Sequence, residues 1–205
     1  MTLKQSNSPY GYKELLVYKK AESLQSECAR LTALFPHSKT LYSLADQMDR
    51  SARSVKQNIV EGWKRNSTKE YHQFLGFSLG ANAELEEDCN DIIKGVYEKG
   101  EKGLKGMEGE YEMGEVEQLP FYPLDSRLPL LIQLKLRCKE LNMLLDKLQR
   151  SLVDKMSADH TLGQREMQQQ ARGREAANDA WIQREREKWE EEEKGNKREK
   201  GEKRV

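Results

Sequence analysis

The sequence predicts an all-α fold, an antiparallel four-helix bundle, and three observations carry that reading. Apolar residues recur at alternating steps of three and four along four separate stretches. Turn or cap residues interrupt the pattern between stretches. The first three stretches follow one another closely enough that consecutive helices must run antiparallel, and narrow apolar seams of this kind bury themselves by bundling. A chain of 205 residues can build one sizeable core with segments to spare. Its 34% charged and 36% hydrophobic content is too polar for a compact domain throughout and too apolar for full disorder, so a packed part and a solvated part are expected.

The first seam is Val17, Ala21, Leu24, Cys28, Leu31 and Phe35, stopped at Phe35-Pro36 because the residue before proline avoids the helical region. The second is Leu41, Leu44, Met48, Ala52, Val55, Ile59 and Gly62. At about 100° per residue these fall in one sector, with Arg50, Arg53, Gln57 and Lys64 opposite and Gln47, Ser51, Ser54 and Asn58 as a polar flank. Gly62 to Ser67 breaks this helix, and Ser67 or Thr68 can cap the third, with Glu70 in its first turn. The third seam is Tyr71, Phe74, Leu75, Ser78, Asn82, Leu85, Cys89, Ile92 and Val96. Gly76 and Gly80 inside it each cost up to ~1 kcal/mol against alanine, which close backbone packing would offset. The fourth seam is Leu131, Leu134, Cys138, Leu141, Leu145, Leu148 and Leu152, after a cap at Asp125 or Ser126 and with Pro129 in the first turn.

Between the third and fourth seams, glycines 100, 103, 106 and 109 recur every third residue without prolines, which reads as a flexible low-complexity insert over 98–122. After Met156 the chain is rich in Arg, Lys, Glu and Gln, with only Trp181, Ile182 and Trp189 as bulky apolar groups. Such a segment cannot bury enough surface to fold alone. It reads as a solvated charged helix or as an arm in which Arg165, Arg172, Arg174, Arg184 and Arg186 reach RNA or a partner, with Trp181 and Trp189 as anchors. The organisation is thus a flexible N-terminus over 1–10, a bundle over 11–156 that contains the insert, and a charged tail over 157–205.

Lys and Arg total 35, as do Asp and Glu, so a nucleic-acid role must rest on local patches. Cys28, Cys89 and Cys138 are odd in number, lack metal-ligand spacing and sit on seams, where they read as small buried hydrophobes. No basic start precedes an apolar run, and no stretch nears the ~20 apolar residues that span a bilayer, so the cytoplasm is the expected location. Nucleophilic catalysis needs a positioned base, and His37, His72 and His160 fall on a turn, an outward helix position and the tail. No catalytic residue, metal or cofactor is expected, and the chain reads as a non-enzyme. Glu84, Glu86, Glu87, Asp88 and Asp91 read as a solvated acidic face, with Glu87 and Asp91 sharing one side that Glu84 and Asp88 adjoin.

The basic group Arg50, Arg53, Lys56, Lys64, Arg65 and Lys69, on the second helix and the turn after it, is the candidate nucleic-acid-binding surface. Each lysine or arginine there could neutralise a phosphate and release counterions. The competing reading is an exposed face or a contact between subunits that meets the acids of the third helix. No exposed aromatic platform beyond Trp63 is evident, so sequence-specific reading of single strands is not expected. Ser51, Ser54, Gly62 and Gly80 read as small residues for close helix packing, and Asn58 as a polar group paired with a backbone atom or with Glu84.

The stretch Arg50 to Ser67 resembles a pattern R-(A/S)-(A/V)-x-S-(I/V)-x-x-N-I-A-E-G-x-x-R-x-S found in the four-helix-bundle proteins of intervening sequences within bacterial 23S ribosomal RNA genes. It reads here as Arg50, Ser51, Ala52, Ser54, Val55, Asn58, Ile59, Glu61, Gly62, Arg65 and Ser67, with Val60 in place of the usual alanine. A following block is similar at Glu70, Tyr71, Phe74, Leu75, Ser78, Gly80, Ala81, Glu84 and Leu85, and the entry at Leu15, Val17, Tyr18, Ala21 and Leu24. The resemblance spans about 12–97. It implies an antiparallel four-helix bundle without enzymatic activity, assembled as a homo-oligomer, with ring-shaped pentamers among the relatives. Related accessory variability determinant (Avd) proteins of diversity-generating retroelements share the bundle and bind a reverse transcriptase and nucleic acid through a basic surface. Three readings therefore stand: an RNA- or DNA-binding accessory protein of the ribosomal type, a retroelement accessory that docks a reverse transcriptase and its template RNA, and a structural assembly protein without a nucleic-acid ligand. None involves a membrane.

Overall fold

A computed structural model describes residues 10–65, 67–97, 104, 107, 109, 111–161, 172, 176, 180, 183 and 184. After a 3-10 turn at Gly11–Glu14 come α1 (Leu16–Thr32), α2 (Lys39–Trp63), α3 (Thr68–Ile93), a short α4 (Met113–Gln118) and α5 (Leu130–Thr161). The boundaries follow from local chemistry. The Ser38 hydroxyl accepts from the Leu41 N–H at 3.3 Å and opens α2. Ser67 accepts from the Glu70 N–H at 3.1 Å while its hydroxyl donates to the Glu70 carboxylate at 2.8 Å, so one serine fixes the start of α3. At the other end of α3, Gly95 takes a φ of 74°. The Val96 N–H then reaches the Asp91 carbonyl and the Gly95 N–H that of Ile92, both at 3.0 Å, closing the helix with the left-handed residue that glycine adopts at least cost.

Cross-helix bonds establish an up-down-up-down bundle. Thr32 donates to Asp49 at 3.1 Å between α1 and α2. Ser51 meets Glu84 at 3.2 Å and Ser78 donates to the Val55 carbonyl at 2.8 Å, so numbering rises on α2 as it falls on α3. Between α3 and α5, Asn82 donates to the Cys138 carbonyl at 2.9 Å, and Gln149 donates to the His72 carbonyl at 3.0 Å. The bundle closes between α1 and α5 through Lys20–Glu140 at 2.7 Å and the Arg137–Glu27 pair. Each of these four interfaces joins antiparallel helices.

Inside lie the predicted seams: the residues of the first two, and Leu131, Leu134, Cys138, Leu141, Leu145 and Leu152 of the fourth, are buried. All three cysteines are buried and unbridged, and burial pushes their thiols up, away from the reactive thiolate. The third seam is buried from Tyr71 to Ile92 except at Phe74, which is half-buried, and Val96 lies past the helix end and is exposed.

The segment before α5 departs from expectation. Part of the stretch read as low-complexity insert is packed: Leu104 is buried, and α4 carries a fully buried Val116. Val116 joins Leu128, Ile132 and Leu136, with Tyr111, Leu119, Phe121 and Leu124 around them, in a second apolar cluster against α5. Helix α5 therefore has two buried faces near its start. A buried lysine ties them together, because Lys135 Nζ donates to Asn90 on α3 and lies 3.7 Å from Met113 Sδ on α4. Neither Asp125 nor Ser126 caps α5, and Pro129 precedes the helix rather than entering its first turn. Asp125 instead binds Arg127 at 2.7 Å, which with backbone bonding holds its carboxyl down at about 2.

The chain divides into two compact units, Tyr12–Met156 and Thr2–Gly11 with Ser157–Val205. In the second, Arg184 Nε donates to the Ala180 carbonyl at 3.1 Å, a spacing of one helical turn. Arg172 is also described and exposed. The expectations for residues 1–9, for most of 98–110, and for Arg165, Arg174, Arg186, Trp181 and Trp189 lie outside the described residues.

Candidate nucleic-acid interface

The six predicted cations divide into two groups. Arg50 and Arg53 lie on the outer face of α2 and are exposed, but Arg50 is paired with Asp46 one turn earlier. Lys56, on the flank of α2, is half-buried. Lys64, Arg65 and Lys69 bracket the turn between α2 and α3, and all three are exposed. Carboxylates at Asp46 and Glu61 interrupt the stripe, so the middle of α2 does not present an unbroken positive field.

At the α2–α3 end the cations are organised by aromatic rings. The Arg65 guanidinium lies 4.4 Å from the Phe74 ring centroid, a cation–π contact, while the Glu61 carboxylate stands off at 3.9 Å. Lys64 Nζ lies 5.9 Å from the Tyr12 centroid. Three edge-to-face pairs surround these contacts: Tyr12 with Tyr18 at 5.0 Å, Trp63 with Tyr71 at 6.2 Å, and Phe74 with Phe77 at 5.6 Å. Of these rings Phe77 is exposed, Tyr12, Tyr18, Trp63 and Phe74 are half-buried, and Tyr71 is buried. Tyr12 and Tyr18 are far from the others in sequence, and only the antiparallel return of α2 beside α1 brings them to this end.

Gly62 explains how the end is assembled. A Cβ there would stand 2.6 Å from Tyr71 Cδ2 and 2.9 Å from Phe74 Cβ, so α2 and α3 meet at this point only because the side chain is absent. The other expected packing residues differ. Ser51 is buried and does hold Glu84, taking the partner expected for Asn58. Asn58 is half-buried beside the seam. Ser54 is exposed, and a Cβ on Gly80 would meet nothing within 4 Å, so neither is needed for close approach.

The acids of α3 also regroup. Asp88 is half-buried, and burial, then Asp91, then Glu84 push its carboxyl up to about 6. Glu84 and Asp91, one turn to either side of Asp88 on α3, are the acids whose charges act on it. Glu87 turns aside to accept from Asn90 at 2.9 Å, and Glu86 accepts from Asn142 at 2.7 Å. Among the described residues, no three of His, Cys, Asp and Glu are grouped to hold a metal ion, and no helix is long and apolar enough to cross a membrane. His37 Nδ1 lies 2.6 Å from the Tyr42 hydroxyl at the α1–α2 turn.

Residues 13–99, the span of α1 to α3, match the family model described as 23S rRNA-intervening sequence protein. No curated protein matches the chain.

Proposed function

We propose, from the premise that residues 13–99 carry the 23S rRNA-intervening sequence protein domain, that this chain is a non-enzymatic accessory protein that binds nucleic acid through the α2–α3 end of its bundle. One observation carries the reading: Lys64, Arg65 and Lys69 are exposed close together between the Gly62 contact near the end of α2 and the start of α3, which Ser67 caps. Cations gathered around one turn can neutralise successive phosphates. Arg53 extends the same outer face along α2. Assembly into a homo-oligomer, which the family resemblance supports, would present several such ends at once and multiply weak contacts.

Ultraviolet cross-linking of the full-length protein to a structured RNA, with adducts mapped by mass spectrometry, tests where contact occurs. Adducts should concentrate in peptides bearing Tyr12, Trp63 and Phe77. Adducts confined to the α1–α2 turn or to α5 would place the ligand elsewhere and reject the reading.

A further inference from the structure

The cation-and-ring arrangement at the α2–α3 end carries more chemistry than phosphate neutralisation requires. We propose that this end takes an unpaired polynucleotide strand, with bases stacking on Phe77 and on the Arg65 guanidinium while Lys64 and Lys69 hold the flanking phosphates. The inference rests on the nucleic-acid reading above and narrows its ligand to single strands.

Two features point this way. Phe77 is 51% exposed although its ring packs against Phe74 at 84°, so much of an aromatic side chain stays in solvent. Beside it, Arg65 is stacked over Phe74 and still keeps 43% of its side chain exposed. A guanidinium held against a ring, on a side chain that keeps this exposure beside the Glu61 carboxylate, is a second planar group within reach of solvent. Base faces can reach such surfaces only when unpaired, because in a duplex they are already covered by neighbouring base pairs. A purely phosphate-reading surface would need the charges alone, and an exposed phenylalanine among them would have no part in it.

The test is a fluorescence-anisotropy titration of the full-length protein at fixed salt. The probes are a labelled 12-nucleotide single-stranded RNA, the DNA strand of the same sequence, and the corresponding RNA duplex. Stacking worth ~1–3 kcal/mol per base corresponds to roughly 5- to 150-fold in affinity. The single strands should therefore bind at least about tenfold more tightly than the duplex, with RNA and DNA within about threefold of each other because stacking ignores the sugar. Phe77→Leu should weaken single-strand binding by about five- to thirtyfold and leave both duplex binding and the salt slope unchanged. Since Phe77 is half exposed, the variant should melt with the parent, which circular dichroism verifies.

Equal affinity for duplex and single strand, or an unaltered Phe77→Leu, overturns the proposal while the phosphate-binding reading stands. DNA bound more than about tenfold worse than RNA also overturns it, because recognition would then run through the ribose hydroxyl. Failure of every probe to bind removes both readings together.

Discussion

Gly62→Val should lower the unfolding free energy by about 3 kcal/mol, the upper range for forcing extra volume into a packed site. The added Cβ would stand 2.9 Å from Phe74 Cβ, an atom rooted on the α3 backbone, and 2.6 Å from the Tyr71 ring. The ring can pivot, but a Cβ cannot retreat without parting the two helices. Gly62→Ala makes the same contact with less bulk and regains up to ~1 kcal/mol of helix propensity, so its net cost should be near 1 kcal/mol. Urea denaturation followed by circular dichroism separates the two. If valine is tolerated as well as alanine, the close approach of α2 and α3 at this point is not what the fold depends on.

The second large effect is expected at Asn82→Ala, at about 3 kcal/mol. Asn82 is fully buried, and its amide donates to the Cys138 carbonyl at 2.9 Å and to Asn142 Oδ1 at 2.7 Å. Asn142 in turn donates to Glu86, so the substitution removes the inner member of a chain that runs across the α3–α5 interface. Its cost combines the missing side-chain volume with acceptors stranded away from water. Asn82→Leu restores volume without donors and should recover only part of the stability. Full recovery by leucine would mean that packing alone holds α3 to α5. Equilibrium unfolding of the two variants beside Asn82→Ser resolves this.

Legibility from sequence tracked the kind of interaction involved. The seams were readable because a helix repeats every 3.6 residues and the core asks only for apolar groups on one side, as in α2 from Leu41 to Gly62. Register was not readable. Ser51 and Asn58 lie on nearly the same flank of α2, but pairing of Val55 with Ser78 and of Gly62 with Tyr71 puts Glu84 opposite Ser51, two turns from Asn58. The packed part of the insert was hidden because Leu104 and Val116 are single apolar residues in charged, glycine-rich surroundings, with no repeat to reveal them. The same holds for Ile132 and Leu136, whose burial depends on that segment covering them.

At the candidate interface the cations could be named from the chain, and the i,i+4 spacing of Asp46 with Arg50 and of Glu61 with Arg65 was there to be read as partial neutralisation. The aromatic surroundings could not be, because Tyr12, Lys64 and Phe77 share an end only after three helices have folded back on one another.

The salt dependence of nucleic-acid affinity tests the central claim most directly. Binding of a single-stranded RNA should weaken log-linearly with salt, and a full-length Lys64/Lys69→Gln variant should show a slope shallower by about 1.4, at ~0.7 for each phosphate no longer neutralised. Its affinity near 0.1 M salt should fall by about 25-fold, while its unfolding midpoint stays with the parent. A variant that folds normally and keeps the parental slope would contradict the assignment of the α2–α3 end as the phosphate-binding surface.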